Sequence, residues 1–181
     1  KKGIAWIVFS YENNPEEALR ILNQVTEVNQ TPDYQLLKAE IASYMKDDIE
    51  KTSFLDAYYK EVRNSAYGGM YNVHTVKFYL NETQQYQKAL ALAKQEVNNR
   101  ATPETYDLLA YAYFKNGELK KALDIVNDFV VDKTFEPEAL LHMAEIYNAN
   151  GAQEKVQDLK EELEDAAFEM GPSFPQRLAS L

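Results

Sequence analysis

The sequence predicts an all-α fold built from antiparallel helix pairs, and three observations support this prediction. Apolar residues recur three and four positions apart along the 181 residues, which is the spacing of one helix face. Proline stands at the start of several such segments, and glycine stands at the end of two. No segment alternates apolar and polar residues between hairpin turns, so we expect no β-sheet.

Proline marks the predicted helix starts, because a proline in the first turn of a helix loses no hydrogen bond. Four prolines precede runs of helix-forming residues: Pro15, Pro32, Pro103 and Pro137. Asn14, Thr31 and Thr102 come directly before three of them, and we expect their side-chain oxygens to cap the helices. Glu17 completes a capping-box pattern with Asn14.

Glycine marks the predicted helix ends. Asn116-Gly117 and Asn150-Gly151 place glycine where a helix commonly ends at positive φ, and the two glycines are 34 residues apart. Ten helices are predicted, near 3–11, 15–29, 32–46, 48–63, 70–82, 84–99, 103–115, 118–131, 137–149 and 152–170.

The chain repeats itself at a shift of 34 residues. This shift places Tyr106, Leu109, Ala110, Tyr113, Gly117 and Ala122 onto Leu140, Met143, Ala144, Tyr147, Gly151 and Val156. Each pair keeps its chemical type: a large apolar residue, a large apolar residue beside a small one, an aromatic, a turn glycine and a small crossing residue. This arrangement resembles the tetratricopeptide repeat, whose period is 34 residues.

The resemblance extends over nearly the whole chain and is clearest from 70 to 170. The clear repeats are 70–102, 103–136 and 137–170, although Gln84 stands in the first where the turn glycine is expected. Degenerate repeats are assigned to 3–31 and 32–66, and Thr52 or Ser53 is expected as the crossing residue of the second. Residues 171–181 form a C-terminal tail, interpreted either as a docking segment or as a frayed end.

The resemblance implies one domain, a right-handed α-α superhelix of about five antiparallel helix pairs whose first helices line a concave groove. In the family this groove receives proteins or peptides, so the chain is predicted to be a protein-interaction scaffold. The residues expected to face the groove are His74, Phe78, Asn81, Asp107, Tyr111, Phe114, Leu141, Glu145 and Asn148. The three aromatics are either recognition anchors or ordinary packing between neighbouring helices.

Composition restricts the class of partner. With 19 basic and 29 acidic residues the formal charge is −10, which disfavours nucleic acid and favours a protein or peptide with basic patches. The longest apolar stretch, Ile4–Phe9, is too short to span a membrane, so we expect no membrane insertion. No pattern in the sequence indicates a cellular compartment.

No enzymatic activity, cofactor or metal is predicted. The chain has no cysteine, and its two histidines, His74 and His142, lie in different repeats without ligand-type spacing. Glu161 and Asp165 are interpreted as solvated charges on one helix face, and Tyr67-Gly68-Gly69 lacks the lysine of a phosphate loop.

A structural role is the alternative to partner binding. In that hypothesis the chain is one segment of a larger or oligomeric solenoid, and its groove is filled by its own neighbour or by a second copy. The nearly continuous apolar character of Gly3–Phe9 favours a missing preceding repeat or contact with another chain. The sequence starts at Lys1 with no initiator methionine, so a processed or trimmed product is one interpretation of the chain. The mass in solution would separate the two hypotheses, because a groove filled by a second copy would give a dimer.

Overall fold

The computed structural model describes residues 2–29 and 31–181 and contains twelve α-helices within those ranges. The helices are α1 (Lys2–Ser10), α2 (Pro15–Thr26), α3 (Pro32–Tyr44), α4 (Asp48–Glu61), α5 (Asn72–Asn81), α6 (Tyr86–Asn99), α7 (Pro103–Lys115), α8 (Leu119–Ile125), α9 (Pro137–Ala149), α10 (Gln153–Asp165), α11 (Ala167–Met170) and α12 (Phe174–Ala179). A 3₁₀ turn covers Ser65–Tyr67, and no strand occurs in the described ranges.

The first ten helices form five consecutive pairs. Helix α1 packs on α2, α3 on α4, α5 on α6, α7 on α8, and α9 on α10. Among the later pairs, the first helices also pack in a row, because α7 contacts both α5 and α9. Pairs that follow one another within the same part of the chain also contact each other, through α2 and α3, α6 and α7, and α8 and α9, as stacked helical repeats do.

The chain divides into two compact units. One consists of Lys1–Gly68 with Ala167–Pro175, and the other of Gly69–Ala166 with Gln176–Leu181. The first unit has a core of Ala5, Val8, Phe9, Ala18, Leu22, Leu37 and Ile41. The second has a core of Val76, Leu80, Ala89, Leu90, Ala93, Leu108, Leu109, Tyr111 and Ala112.

A residue with positive φ marks the turn inside every helix pair. These residues are Asn13, Lys46, Gln84, Gly117 and Gly151, with φ of 52°, 61°, 52°, 80° and 76°. In each pair the second helix begins two residues later, so the turns define one register for all five repeats. The predicted glycine stops are confirmed, and Gln84 adopts the same conformation without glycine.

This register corrects the alignment of the second repeat. The small crossing residue lies five positions after the turn residue, and in four repeats it is buried: Ala18, Ala89, Ala122 and Val156. In the second repeat that position is Lys51, whereas Thr52 and Ser53 are exposed. The sequence did not reveal this because a lysine carries no signal of close helix crossing.

The predicted helix caps are present in part. The Oδ1 of Asn14 accepts the amide of Glu17 at 3.2 Å, but the Glu17 carboxylate binds Arg20 instead of closing the capping box. Thr102 forms a complete box with the residue three positions on. Thr31 makes no side-chain capping bond, so its predicted role is wrong.

Three C-terminal features differ from the predicted helices. Helix α8 ends at Ile125, and a π-helical turn follows over Val126–Val130. Both of those valines are buried. The helix predicted over 152–170 breaks at Ala166, where no glycine or proline marks the break. Part of the tail is helical, because Phe174–Ala179 forms α12.

Candidate partner-binding site

The nine predicted groove residues occupy three repeat-equivalent positions on α5, α7 and α9. Relative to the positive-φ turn, the three sets are His74, Asp107 and Leu141; Phe78, Tyr111 and Glu145; and Asn81, Phe114 and Asn148. Within each set, successive residues are 33 or 34 positions apart. We call Asn81, Phe114 and Asn148 the outer set, because they lie nearest the C-terminal ends of the three helices.

Burial separates these residues. Four are buried: Phe78, Asp107, Tyr111 and Leu141 are 6%, 4%, 1% and 0% exposed. Asn81 is exposed, and the remaining four are partly exposed: His74, Phe114, Glu145 and Asn148. The four buried side chains present no open surface while Arg177 binds the Tyr111 hydroxyl, so in this structure the open surface belongs to the other five.

The guanidinium of Arg177, in the C-terminal tail, contacts two of the nine predicted groove residues, Tyr111 and Glu145. The hydroxyl of Tyr111 donates to the Oε2 of Glu145 at 2.7 Å. The Nε of Arg177, on α12, donates to the Oε1 of Glu145 at 2.9 Å, and its Nη2 donates to the Tyr111 hydroxyl at 3.0 Å. One arginine is therefore bound by equivalent positions of two neighbouring repeats, and we call this group the Arg177 cluster.

The electrostatics of the Arg177 cluster favour an ionised Glu145 beside the charged Arg177. Burial alone raises the pKa of Glu145, but the charge of Arg177 and the hydrogen bond from Tyr111 outweigh it and hold the pKa below its ordinary value. Burial, reinforced by the charge of Glu145, raises the pKa of Tyr111 far above its ordinary range. The phenol therefore remains a donor, and the carboxylate remains ionised at neutral pH.

A buried Asp–His pair lies directly beside Tyr111. The Nδ1 of His142 is 2.8 Å from the Oδ2 of Asp107, and the imidazole stacks on the Tyr111 ring with 3.7 Å between centroids. Burial raises the pKa of Asp107, and the adjacent His142 opposes that shift. His142 is 1% exposed, so its remaining nitrogen does not face solvent. In this structure the pair therefore packs against the Tyr111 ring and lines no open site.

Two lysines and another carboxylate complete the charged surroundings. Lys77 on α5 forms an ion pair with Glu138 on α9. Burial raises the pKa of Glu138, but His142 and Lys77 outweigh it and leave the pKa below its ordinary value. The Nζ of Lys115 lies 4.0 Å from the Oε2 of Glu145 and 5.0 Å from the centre of the Tyr111 ring.

Sequence reasoning missed Arg177, Glu138 and Lys77, and it did not connect His142 with Asp107. The Arg177 cluster depends on a tail that the sequence describes only by its proline and glycine content. One signal was available for the Asp–His pair. Its spacing of 35 residues is one repeat plus one position, which brings residues together on neighbouring first helices.

The described residues were predicted to hold no metal and to insert into no membrane. Among residues 2–29 and 31–181, no group of three or more histidine or acidic side chains is placed to hold a metal ion. No helix in these ranges is long and apolar enough to cross a membrane.

Known proteins resemble this chain in structure and not in sequence. No protein-family model matches the sequence, and no curated protein matches it. A crystal structure of a point variant from Podosopora anserina, of nearly identical TPR-like repeats attributed to a kinesin light chain, aligns at a TM-score of 0.54 and 19% identity. The alignment covers 97% of this chain and 94% of that one. MamA of Desulfovibrio magneticus RS-1, from residue 41 to its end, aligns at a TM-score of 0.51 and 22% identity over 91% and 93% of the two chains.

The chain has a tetratricopeptide-repeat fold. The predicted fold class, an all-α superhelix of stacked helix pairs, is thereby confirmed. The tetratricopeptide register also explains the Arg177 cluster, because Tyr111 and Glu145 occupy the same position in successive repeats. At these identities the similarity concerns the fold, and the binding properties of the neighbours are not carried over to this chain.

Proposed function

We propose that this chain is a protein-interaction scaffold that binds a peptide or partner protein along the first helices α5, α7 and α9. The observation that carries the proposal is that Arg177 donates hydrogen bonds to both Tyr111 and Glu145. A helical segment thus lies against the first helices and is bound by two successive repeats. The tetratricopeptide fold supports the same role, because solenoids present long surfaces suited to extended or helical partners.

The surface available to a partner centres on the outer set. Phe114 is partly exposed and lies 5.7 Å from the Tyr111 ring, measured between ring centroids. Asn81 and Asn148 flank it on α5 and α9. Aromatic side chains are enriched at the centre of protein interfaces, and the amides can donate and accept hydrogen bonds around it. The formal charge of −10 favours partners with basic patches.

Site-directed photo-cross-linking tests this proposal. A benzophenone amino acid is placed at position 114 in one variant and at position 120 in the control. The Lys120 side chain is 86% exposed and lies on α8, the second helix of its pair. In lysate from the source organism, we expect specific proteins to cross-link at position 114 and not at position 120. The same proteins at both positions, or none at position 114, would contradict the proposal.

A structural role is the second candidate, and the same tail contact favours it. If α12 fills the groove permanently, the first helices are covered by their own chain and need no partner. In a third arrangement a second copy of the chain fills the groove. Sedimentation equilibrium distinguishes it from the other two, because it yields the mass of a dimer. We also propose that the chain is not an enzyme, since the Asp107–His142 pair is enclosed and does not face solvent.

A further inference from the structure

We propose that the Tyr111–Glu145 pair is a receptor for an arginine side chain of the partner, and that Arg177 occupies it until the partner displaces it. This inference rests on the proposed function and specifies the partner's chemistry. The ligand is an arginine-bearing segment, and the chain's own residues 176–181 are its internal competitor.

The geometry of the receptor fits a guanidinium. The Oε1 of Glu145 lies 2.9 Å from the Nε and 2.8 Å from the Nη2 of Arg177, so one carboxylate oxygen contacts both nitrogens. The Nη2 also donates to the Tyr111 hydroxyl, which in turn donates to the Oε2 of Glu145. A planar fork with fixed donors satisfies both acceptors at once. A lysine ammonium is a point charge without that fork, so it matches the receptor less well.

The receptor is also poised to hold a cation whenever Arg177 leaves. The Glu145 side chain is 16% exposed, so its carboxylate is poorly solvated. Without Arg177, its nearest basic group is Lys115 at 4.0 Å. A partly buried carboxylate that loses its close cation is destabilised, and the arrival of another guanidinium restores the lost interaction.

The internal competitor is held by few contacts. None of residues 176–181 is buried: Arg177, Leu178 and Leu181 are partly exposed, and Gln176, Ala179 and Ser180 are exposed. Segments with little buried apolar surface open at low free energy. Phe174, by contrast, is 3% exposed in the first unit, so it retains the tail when the last six residues detach.

Tethering determines how strongly a partner must bind. A segment held by a short linker competes at an effective concentration on the order of millimolar. A partner arginine alone therefore displaces Arg177 poorly, and additional contacts are required. The partly exposed Phe114 and Asn148 lie three residues beyond Tyr111 and Glu145 on the same helices, where such contacts are available.

Fluorescence anisotropy with the chain's own tail tests the receptor. The probe is a labelled peptide with the sequence of residues 172–181, and the control peptides carry Lys or Gln in place of the arginine. The proteins are the full chain, its Arg177→Gln variant and the double variant Arg177→Gln/Glu145→Gln. Because the tethered arginine is absent, we expect Arg177→Gln to bind the arginine peptide about tenfold more tightly than the full chain does.

The controls make the result specific to arginine. Against the Arg177→Gln protein, we expect the lysine and glutamine peptides to bind roughly tenfold more weakly than the arginine peptide, and the double variant to lose this preference. Equal binding of the arginine and glutamine peptides, or a preference that survives loss of Glu145, would overturn the inference. In that case the photo-cross-linking result at position 114 still decides the proposed function independently.

A second measurement uses the unaltered chain and does not depend on the folding of a variant. Amide hydrogen exchange of residues 176–181 is followed while the arginine peptide is added at millimolar concentration. We expect exchange in this segment to accelerate with the arginine peptide and to stay unchanged with the glutamine peptide. Unchanged exchange with both peptides would show that an external arginine does not displace Arg177.

Discussion

Tyr111 and Glu145 lie 34 residues apart in sequence, yet the hydroxyl of the first donates to the carboxylate of the second at 2.7 Å. They occupy the same position in successive tetratricopeptide repeats, so one repeat period becomes one direct contact between α7 and α9. Arg177 binds both members of the pair, which makes this relationship the centre of the candidate site.

Tyr111→Phe removes the hydroxyl and keeps the ring that stacks on His142. We expect the free energy of unfolding to fall by about 1 kcal/mol, because Glu145 loses a donor and Arg177 loses an acceptor. Urea unfolding followed by far-UV circular dichroism measures this change. Tyr113→Phe is the matched control on the same helix, since the described residues provide no hydrogen-bond partner for its hydroxyl. Equal effects of the two substitutions would show that the hydrogen bonds of the Tyr111 hydroxyl contribute no specific stability.

Gly171→Ala tests close packing in the first unit. A Cβ at this position would lie 3.0 Å from the Trp6 ring and 3.1 Å from the Glu40 carboxylate, at a φ of +82°. Gly117→Ala is the control, because its φ is +80° and nothing lies within 4 Å of its Cβ. We expect about 1–2 kcal/mol of destabilisation from the left-handed backbone in both variants, and about 1 kcal/mol more in Gly171→Ala from overpacking. Thermal unfolding compares the variants, and fluorescence of Trp6, the only tryptophan, reports on the Gly171 site directly.

Gln84→Gly should stabilise the third repeat. Gln84 adopts a φ of 52° at the turn where two other repeats have glycine. Glycine removes the steric cost of this conformation, which is about 1 kcal/mol, although added freedom in the unfolded chain offsets part of the gain. Gln85→Gly is the control, because its φ is −86° and glycine should only destabilise there. Chemical denaturation gives both values, and a loss of stability in Gln84→Gly would contradict the expectation.

The pH dependence of stability should separate Glu145 from Asp107. The pKa of Glu145 is lowered by folding, so the stability it contributes is present above its ordinary pKa and is lost as the pH falls through the lowered value. Glu145→Gln should therefore reduce the loss of stability on acidification.

Asp107 should behave in the opposite way. The pKa of Asp107 is raised by folding, so the stability it contributes is present at low pH and is lost as the pH rises. Asp107→Asn should therefore steepen the acid loss. Urea titrations from neutral pH to pH values below the carboxyl range measure both slopes, and the same sign of change in both variants would contradict the assignment.

Much of the fold could be predicted from the sequence because the signals are local. Asn116-Gly117 and Pro103 specify a helix end and a helix start through φ preferences that need no distant contact. The repeat period then follows from the spacing of such signals. The same reasoning located the second repeat but not its register, since Lys51 carries no local mark of a crossing position.

The candidate site was predicted less completely, because its decisive contacts are not local. The sequence placed Tyr111 and Glu145 on the first helices and left Tyr111 as either an anchor or a packing residue. It gave no indication that Arg177 binds the Tyr111 hydroxyl from 66 residues away. It likewise assigned Asp107 to an open face, whereas packing against His142 buries the carboxylate. Such outcomes depend on which helices pack together and how closely.

The sequence by itself determined the helices, their turns and the repeat period of this protein, because backbone preferences and apolar spacing act over a few residues. Only the tertiary structure decided which of the predicted groove side chains remain open and which are buried in the row of first helices. It also decided that the tail forms α12 and that Arg177 binds Tyr111 and Glu145. Those features arise from burial and electrostatic contacts between groups far apart in sequence. They form only when the helix pairs have stacked and solvent has been excluded between them.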